Sequence, residues 1–235
     1  MASGVQERID TLAKWMSESR HLVVFTGAGI STASGLPDFR GPDGIWTRQE
    51  KGLPAPSLSF SSAEPNASHM AIVELQRLGK LKFLISQNVD NLHLKSGIRP
   101  ELLAELHGNV TKFICRNCGF KCDSFPDLET CPECSGRLTS SVVNFGDPLP
   151  VKDLQDSEWH SRNCDLFIAI GSSLVVHPAA DMPRIALDSG SRLVIINKQE
   201  TPFDRVAHLR FWEEIGEVFP EAVQQLKDLM NQASR

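Results

Sequence analysis

The sequence predicts an α/β fold, a doubly wound parallel sheet with helices on both faces, carrying a small inserted four-cysteine module. Three observations predict it. Four short apolar runs, Leu22–Thr26, Leu81–Ile85, Cys164–Ile170 and Leu193–Ile196, lack the polar alternation of a half-exposed strand and read as strands buried on both faces. Helical or long connections separate them, which parallel strands require. Three end in Gly, Ser, Asn or Asp, which places polar, ligand-ready residues at one sheet edge.

Composition bounds the rest. The 235 residues suffice for one large domain, or one domain with a small module. A hydrophobic share of 41% and a charged share of 23% are ordinary for a globular chain. The net charge of −5, without a polybasic run, gives no electrostatic support for nucleic-acid or membrane binding. No run approaches the roughly 18 apolar residues of a membrane span. The first residues, MASGVQERIDTLAKW, lack the apolar core of a secretory signal. The expected address is therefore cytoplasmic or nuclear, where paired cysteines usually mean metal rather than disulfide.

In chain order, Val5, Ile9, Leu12, Ala13 and Met16 recur at three- and four-residue spacing, predicting an amphipathic helix over 5–19 with Ser3 as its N-cap. The first strand then runs into Gly27-Ala28-Gly29 and a series of hydroxyl residues. A strand followed by Gly-x-Gly presents backbone N–H groups to phosphates, with no Cβ to hold a ligand off. A dinucleotide dehydrogenase would add a third Gly, where Thr32 stands, and a ribose-binding acid about twenty residues later; both are missing. Residues 41–66, dense in Gly, Pro and Ser, read as a long functional loop with no helix through it. A helix over 68–79 ends at Gly79, and the second strand exits into Ser86-Gln87-Asn88-Val89-Asp90-Asn91-Leu92-His93. His107 precedes Gly108, a placement that is more often structural than catalytic. A strand-like run over 110–114 follows, then the cysteines, then a short β-type run over 142–147. The third strand ends in Gly171-Ser172-Ser173, a helix starts or breaks near Pro183, the fourth strand ends at Asn197, and Val223, Leu226 and Leu229 or Met230 mark a last amphipathic helix.

Cys115-x₂-Cys118 and Cys131-x₂-Cys134 form two knuckles whose four thiolates satisfy tetrahedral zinc. Four protein ligands leave no open position, so one structural Zn²⁺ is expected. A module this small does not fold without its metal. Cys122 is expected to stand by, and Cys164 to be a buried strand thiol.

Taken together, GAGISTASGLPDFRGPDGIW (27–46), QNVDNLH (87–93), LHGN (106–109), the two C-x₂-C pairs, VVNFGD (142–147), GSSL (171–174) and IIN (195–197) closely resemble the sirtuin family of NAD-dependent protein-lysine deacylases. The resemblance spans about residues 20–218. With Ser68-His69-Met70 and its flanks, it looks most like the branch of nuclear chromatin-acting members, without their long C-terminal tail. It implies a Rossmann-like large part (about 1–40, 80–108 and 147–235), a small zinc part (about 109–141), a cofactor-binding loop (about 36–66), and a substrate cleft between the parts.

By motif, the resemblance assigns NAD binding to Gly27, Ala28, Gly29, Asp38, Phe39, Arg40, Gln87, Asn88, Asp90, Gly171, Ser172, Ser173 and Asn197, with Ile215 near the adenine. It makes His107 the general base and Asn88 a second catalytic residue. Val142, Asn144 and Phe145 would offer a strand edge to the substrate peptide. The implied reaction consumes NAD as co-substrate. The acyl-lysine oxygen attacks the nicotinamide ribose, nicotinamide leaves, His107 activates a ribose hydroxyl that attacks the resulting imidate, and one water is consumed, giving lysine, nicotinamide and O-acyl-ADP-ribose. The expected partners are acyl-lysine proteins or peptides, with no nucleic acid or membrane, and the chain is expected to act as a monomer. Family members that take succinyl or malonyl groups use a Tyr, and this chain has none, so acetyl or longer apolar acyl groups are expected. Mono-ADP-ribosyl transfer and a non-catalytic NAD- or zinc-binding module are the alternatives.

Overall fold

The computed structural model describes residues 2–54, 56, 59–123 and 130–233; parts of the expected cofactor loop and zinc part therefore lie outside the described residues. The elements run α1 (Ala2–Glu18), β1 (Leu22–Thr26), a 3-10 segment (Ala28–Ser34), α2 (Ile45–Glu50), α3 (Ala67–Arg77), β2 (Leu81–Ser86), α4 (Leu92–Ser96) and β3 (Leu103–Glu105). After these come β4 (Phe113–Cys115), β5 (Lys121–Cys122), β6 (Leu138–Ser140), α5 (Val151–Asn163), β7 (Leu166–Ile170), α6 (Met182–Asp188), β8 (Arg192–Ile196), β9 (Leu209–Phe211) and α7 (Ile215–Ala233).

Among the described residues the main sheet has six strands in the order β3-β2-β1-β7-β8-β9, every pairing parallel. The continuous apolar runs have a direct explanation in the core. Leu22, Val24, Leu84, Ile168, Val194 and Ile196 bury one face against Ile9, Leu12 and Met16 of α1, Ile72 and Leu75 of α3, and Val218, Phe219, Ala222 and Leu226 of α7. Their neighbours Val23, Phe25, Phe83, Ile85, Phe167, Leu193 and Ile195 bury the other face against Met182 and Ala186 of α6 and Leu106. Successive residues of one strand thus serve two cores, so alternation disappears from the sequence.

Strand order reverses between β1 and β7, and the loops leaving their carboxyl ends diverge there, which opens a crevice. A second sheet, β5-β4-β6, is antiparallel and sits on the chain between β3 and β7. It carries the cysteine knuckles.

Several expectations need correction. The first helix begins at Ala2, so Ser3 lies inside its first turn instead of capping it. The loop over 41–66 does contain a helix, α2, since its glycines and prolines flank Ile45–Glu50 and do not interrupt it. The β-type run over 142–147 is not a strand; the strand lies just before it, at Leu138–Ser140, and 145–147 form a turn. Helix α5 and the short edge strands β3 and β9 went unread. The α5 sequence, VKDLQDSEWHSRN, buries only Ser157 and Ser161 completely, so it has almost no apolar stripe to betray it.

Candidate active site at the strand carboxyl ends

The crevice is built by backbone contact between the loops that follow β1 and β7. Gly27 N–H donates to Ile170 O (3.0 Å), Gly29 N–H to Gly171 O (2.8 Å), and Gly171 N–H to Ile196 O (2.9 Å). A Cβ on Gly27 would stand 2.7 Å from Gly171 O, and one on Gly29 would stand 2.8 Å from Gly171 Cα. A Cβ on Gly171, at φ +64°, would strike Ile30 N. Expected to admit a ligand, these glycines in the fold admit each other. Without them the two loops could not touch, and the ends of β1 and β7 would not form one floor. The segment after Gly27 is 3-10 rather than α-helical, and Gly35 closes it at φ +82°.

On this floor stands a small buried polar group. Ser31 Oγ donates to Asp90 Oδ2 at 2.6 Å, and Asn88 Nδ2 donates to Ser31 Oγ at 3.3 Å. Asp90 Oδ1 accepts the Leu92 N–H at 3.0 Å, which caps α4. Asn88 Oδ1 is buried and meets no partner among the described residues. A buried acceptor without a donor is costly, so this oxygen is suited to a hydroxyl or amide of a ligand. Ser31 was not singled out from the sequence. Its only signal was the hydroxyl two residues after Gly29, and the bond to Asp90 joins residues 59 apart.

Gln87 lies between this group and His107. Its side-chain Oε1 accepts from Ser172 Oγ at 2.7 Å, and its backbone O lies 3.0 Å from His107 Nδ1. A carbonyl only accepts, so Nδ1 carries the proton and Nε2 keeps its lone pair. Burial pushes the His107 pKa below its ordinary value, partly offset by the bond to the Gln87 carbonyl, so the ring is neutral at pH 7. Gly108 follows at φ +78°, where a Cβ would overlap Ser141 O. That glycine lets segment 141–143 lie against the His107 turn, joined by Val143 N–H to His107 O (3.0 Å) and by Asn109 N–H to Ser141 Oγ (3.1 Å).

The cofactor-loop residues form a second wall. Asp38 Oδ1 accepts the Gly41 N–H (2.8 Å), Ile45 N–H donates to Asp38 O, and Trp46 N–H donates to Phe39 O, so Asp38 and Phe39 shape the turn that starts α2. Arg40 donates to Ser173 Oγ (3.3 Å) and lies 4.2 Å from the Trp46 ring centre. Trp46 is 5.0 Å from Phe39 and 5.9 Å from Phe145, between ring centres. The loop is thereby tied both to the β7 end and to segment 142–147. Phe145 is 84% exposed, a large apolar side chain offered to solvent at the mouth. Asn144 is spent locally on Asp147, by its N–H and by Nδ2, both at 3.2 Å, and Val142 N–H reaches Ser140 Oγ (3.3 Å).

Asn197 ends β8, its Nδ2 donating to Gln199 O (2.9 Å) while Arg210 holds its carbonyl (2.6 Å). Ala28 opens the 3-10 segment beside the Gly171 loop. Ile215 packs, half-buried, against the core beneath α1 and α7. The sheet edge thus brings together residues from 27 to 31, 87 to 90, 107 and 171 to 173.

In the second sheet, the Sγ atoms of Cys115, Cys118, Cys131 and Cys134 all lie within 4.8 Å of one another, with Cys115–Cys134 and Cys118–Cys131 at 3.5 Å. Tetrahedral zinc with Zn–S bonds of about 2.3 Å sets sulfurs roughly 3.8 Å apart, so the four thiols fit one structural Zn²⁺. Each knuckle closes with a backbone bond, Gly119 N–H to Cys115 O and Ser135 N–H to Cys131 O, through a residue at positive φ (Gly119, Ser135). Cys122 is in β5, outside this group. Cys164 is a buried thiol, 3.0 Å from Ser191 Oγ.

Comparison with known proteins agrees with this geometry. The Sir2 family profile matches residues 27–60 and 55–178. NAD-dependent protein deacetylase SRT1 of Arabidopsis thaliana is 46% identical over 218 residues, covering 87% of this chain and 46% of the relative. NAD-dependent protein deacylase 2 of Archaeoglobus fulgidus is 37% identical over 254 residues, covering 97% of this chain and the whole of the relative. A solved structure described as Sir2 with a p53 peptide and NAD+ superposes with a TM-score of 0.73 at 33% identity, covering 96% of this chain and 98% of that one. The chain thus spans under half the length of the plant relative and all of the archaeal one. With the strand-edge site, the four-thiol knuckles and these matches together, the chain belongs to the Sir2 family, the sirtuins.

Proposed function

We propose that this chain is an NAD-dependent protein-lysine deacylase acting on acetyl-lysine or longer apolar acyl-lysine. The observation that carries the reading is the His107 ring: neutral, fixed by Gln87 O in the tautomer that leaves Nε2 free, and tied through Gln87 to the floor of the crevice. A free imidazole lone pair suits a proton-taking site, and the buried unpartnered Asn88 Oδ1, on the residue after Gln87, suits a hydroxyl-binding one.

In this reading NAD supplies a sugar carbon open to attack and nicotinamide as leaving group. The Gly27, Gly29 and Gly171 N–H groups are spent on backbone carbonyls, so Ala28, Ser172 and Ser173, on the loops these glycines bring together, would face its phosphates, with the Arg40 guanidinium adding positive charge. Asp38 and Phe39 shape the loop beside the nicotinamide, while Gln87 and Asp90 flank it. Asn197 and, less directly, Ile215 attend the adenosine end. Asn88 Oδ1 accepts from a ribose hydroxyl and orients it; His107 Nε2 takes a hydroxyl proton and returns it later. The Phe39, Trp46 and Phe145 rings would line the mouth on the cofactor-loop side. Substrate peptide would lie along Val142, Asn144 and Phe145, although the Val142, Val143 and Asn144 N–H groups are already bonded within the chain. We read 109–141 as the zinc part and place the protein in the cytoplasm or nucleus, acting as a monomer; thiols held as a metal site suit a reducing compartment.

The test is an acetyl-lysine peptide incubated with and without NAD and read by mass spectrometry, with decanoyl and succinyl peptides alongside. The reading expects NAD-dependent loss of acetyl or decanoyl mass and little loss of succinyl. Gain of ADP-ribose mass by the peptide or protein, without deacylation, would favour ADP-ribosyl transfer instead. No NAD-dependent change would leave a binding module.

A further inference from the structure

Behind the crevice floor lie two histidines that the reaction does not use. His69, on α3, and His93, on α4, are 0% and 3% exposed, with ring centres 5.1 Å apart. Buried imidazoles normally satisfy both nitrogens. Here each satisfies one. Asn66 N–H donates to His69 Nδ1 at 3.3 Å, so the His69 proton sits on Nε2. His93 Nε2 lies 2.8 Å from Thr26 Oγ1, at the end of β1. That leaves His69 Nε2 and His93 Nδ1, both fully enclosed, without a partner among the described residues.

The other ends of this pair lead to the site. Thr26 Oγ1 donates to Ser86 Oγ (3.2 Å), and Ser86 Oγ accepts the Asn88 N–H (3.1 Å). Asn66, which caps α3, holds Ile30 O (2.8 Å) and Ser34 Oγ (3.0 Å) through its side-chain amide, gripping the 3-10 segment that carries Ser31. His93 follows Asp90 by one short turn. Every segment that contributes to the Asn88, Ser31 and Asp90 group therefore meets the histidine pair within two or three hydrogen bonds. If one water bridges His69 Nε2 and His93 Nδ1, with a bond of about 2.8 Å on each side, the chain becomes continuous and both orphaned nitrogens are satisfied.

We propose that His69 and His93 are positioning residues for Asn88, Ser31 and Asp90, joined through one buried water into a hydrogen-bonded relay from the α3 cap to the end of β2. The relay fixes α3, α4, β1 and β2 in one mutual register, which holds Asn88, Ser31 and Asp90 in place. Burial keeps both rings neutral: the His69 pKa is lowered to about 4, opposed in part by Asp90, and that of His93 is well below its ordinary value. The relay therefore carries no net charge beside Asp90. The inference rests on the deacylase reading only for its kinetic arm.

Two measurements on the zinc-loaded full chain test it. A high-resolution crystal structure should show one ordered water within hydrogen-bonding distance of both nitrogens; continuous apolar contact or no density between the rings would overturn the relay. In deacetylation assays, His93→Leu should lower kcat by about tenfold while changing the peptide KM less than about twofold, and His93→Gln, which keeps a donor and an acceptor, should recover most of the loss. A folded His93→Leu protein with unchanged kcat, or equal losses in Leu and Gln, would overturn it. Should His93→Leu not fold, His69→Leu and His69→Gln carry the same comparison. Wild-type protein inactive in the assay would sink the deacylase reading while leaving the crystallographic arm to decide the relay.

Discussion

Replacing Gly108 by alanine should cost far more than an ordinary loop substitution. Its φ of +78° alone charges an L residue about 1–2 kcal/mol. The added Cβ would overlap Ser141 O and lie 2.6 Å from Ser141 C and 3.0 Å from Val142 Cα, all backbone that cannot swing aside. Forcing an atom into such a space typically costs about 1–3 kcal/mol more, for a total near 3 kcal/mol. In a chain of this size that lowers Tm by about 6–12 °C. Gly190→Ala is the control, because its φ of +87° is similar while nothing lies within 4 Å of the new Cβ; it should lose only about 1–2 kcal/mol. The displaced segment is the one whose Val143 N–H holds His107 O, so Gly108→Ala should also raise the peptide KM and lower kcat, and Gly190→Ala should do neither. Thermal unfolding of both variants, with kinetics on the folded fraction, reads the difference. Equal Tm shifts in the two, or normal kinetics in Gly108→Ala, would refute the account of how segment 141–143 is seated against His107.

Other outcomes follow from the same structure. Ser31→Ala removes a 2.6 Å bond to a buried carboxylate and should cost about 1.5–3 kcal/mol by urea unfolding, with a clear fall in kcat. Stability should also fall on acidification: the folded-state pKa of His69, about 4, lies below its unfolded value near 6.5, so the unfolded chain binds more protons between them. Its contribution is complete above about pH 6.5 and is lost as pH falls toward 4, roughly 3 kcal/mol from this residue, measured as urea midpoints across that range. The acid limb of kcat/KM, set by a base whose pKa is lowered, should lie below pH 6.5. Stripping zinc with a chelator should release four titratable thiols and abolish protection of β4–β6 amides in hydrogen exchange, while the six-stranded sheet keeps its own.

What the sequence made legible was whatever local chemistry imposes. The four buried strands declared themselves because two cores leave no polar positions in them, and the two C-x₂-C pairs because tetrahedral zinc demands that spacing. Helix α5 was silent because its buried positions are serines, and β3 and β9 because three-residue edge strands carry too little pattern. Motifs named Asn88, Asp90 and His107 as site residues, but not what orders them. Ser31 reaches Asp90, and Gln87 both reaches Ser172 and fixes the His107 tautomer, through contacts distant in sequence. Gly27 and Gly29 were expected to let the backbone approach a ligand; the close approach in the fold is to Gly171, which only the sheet order brings there.

The most direct test of the central claim is stoichiometry: nicotinamide released per acetyl group lost, in wild type and in His107→Ala. The account predicts one nicotinamide per acetyl group and an equal amount of O-acetyl-ADP-ribose for the wild type, and no completed turnover for a His107→Ala protein with an unaltered far-UV spectrum and Tm. Nicotinamide released with ADP-ribose attached to protein and the acetyl group retained, or near-normal deacetylation by His107→Ala, would contradict it.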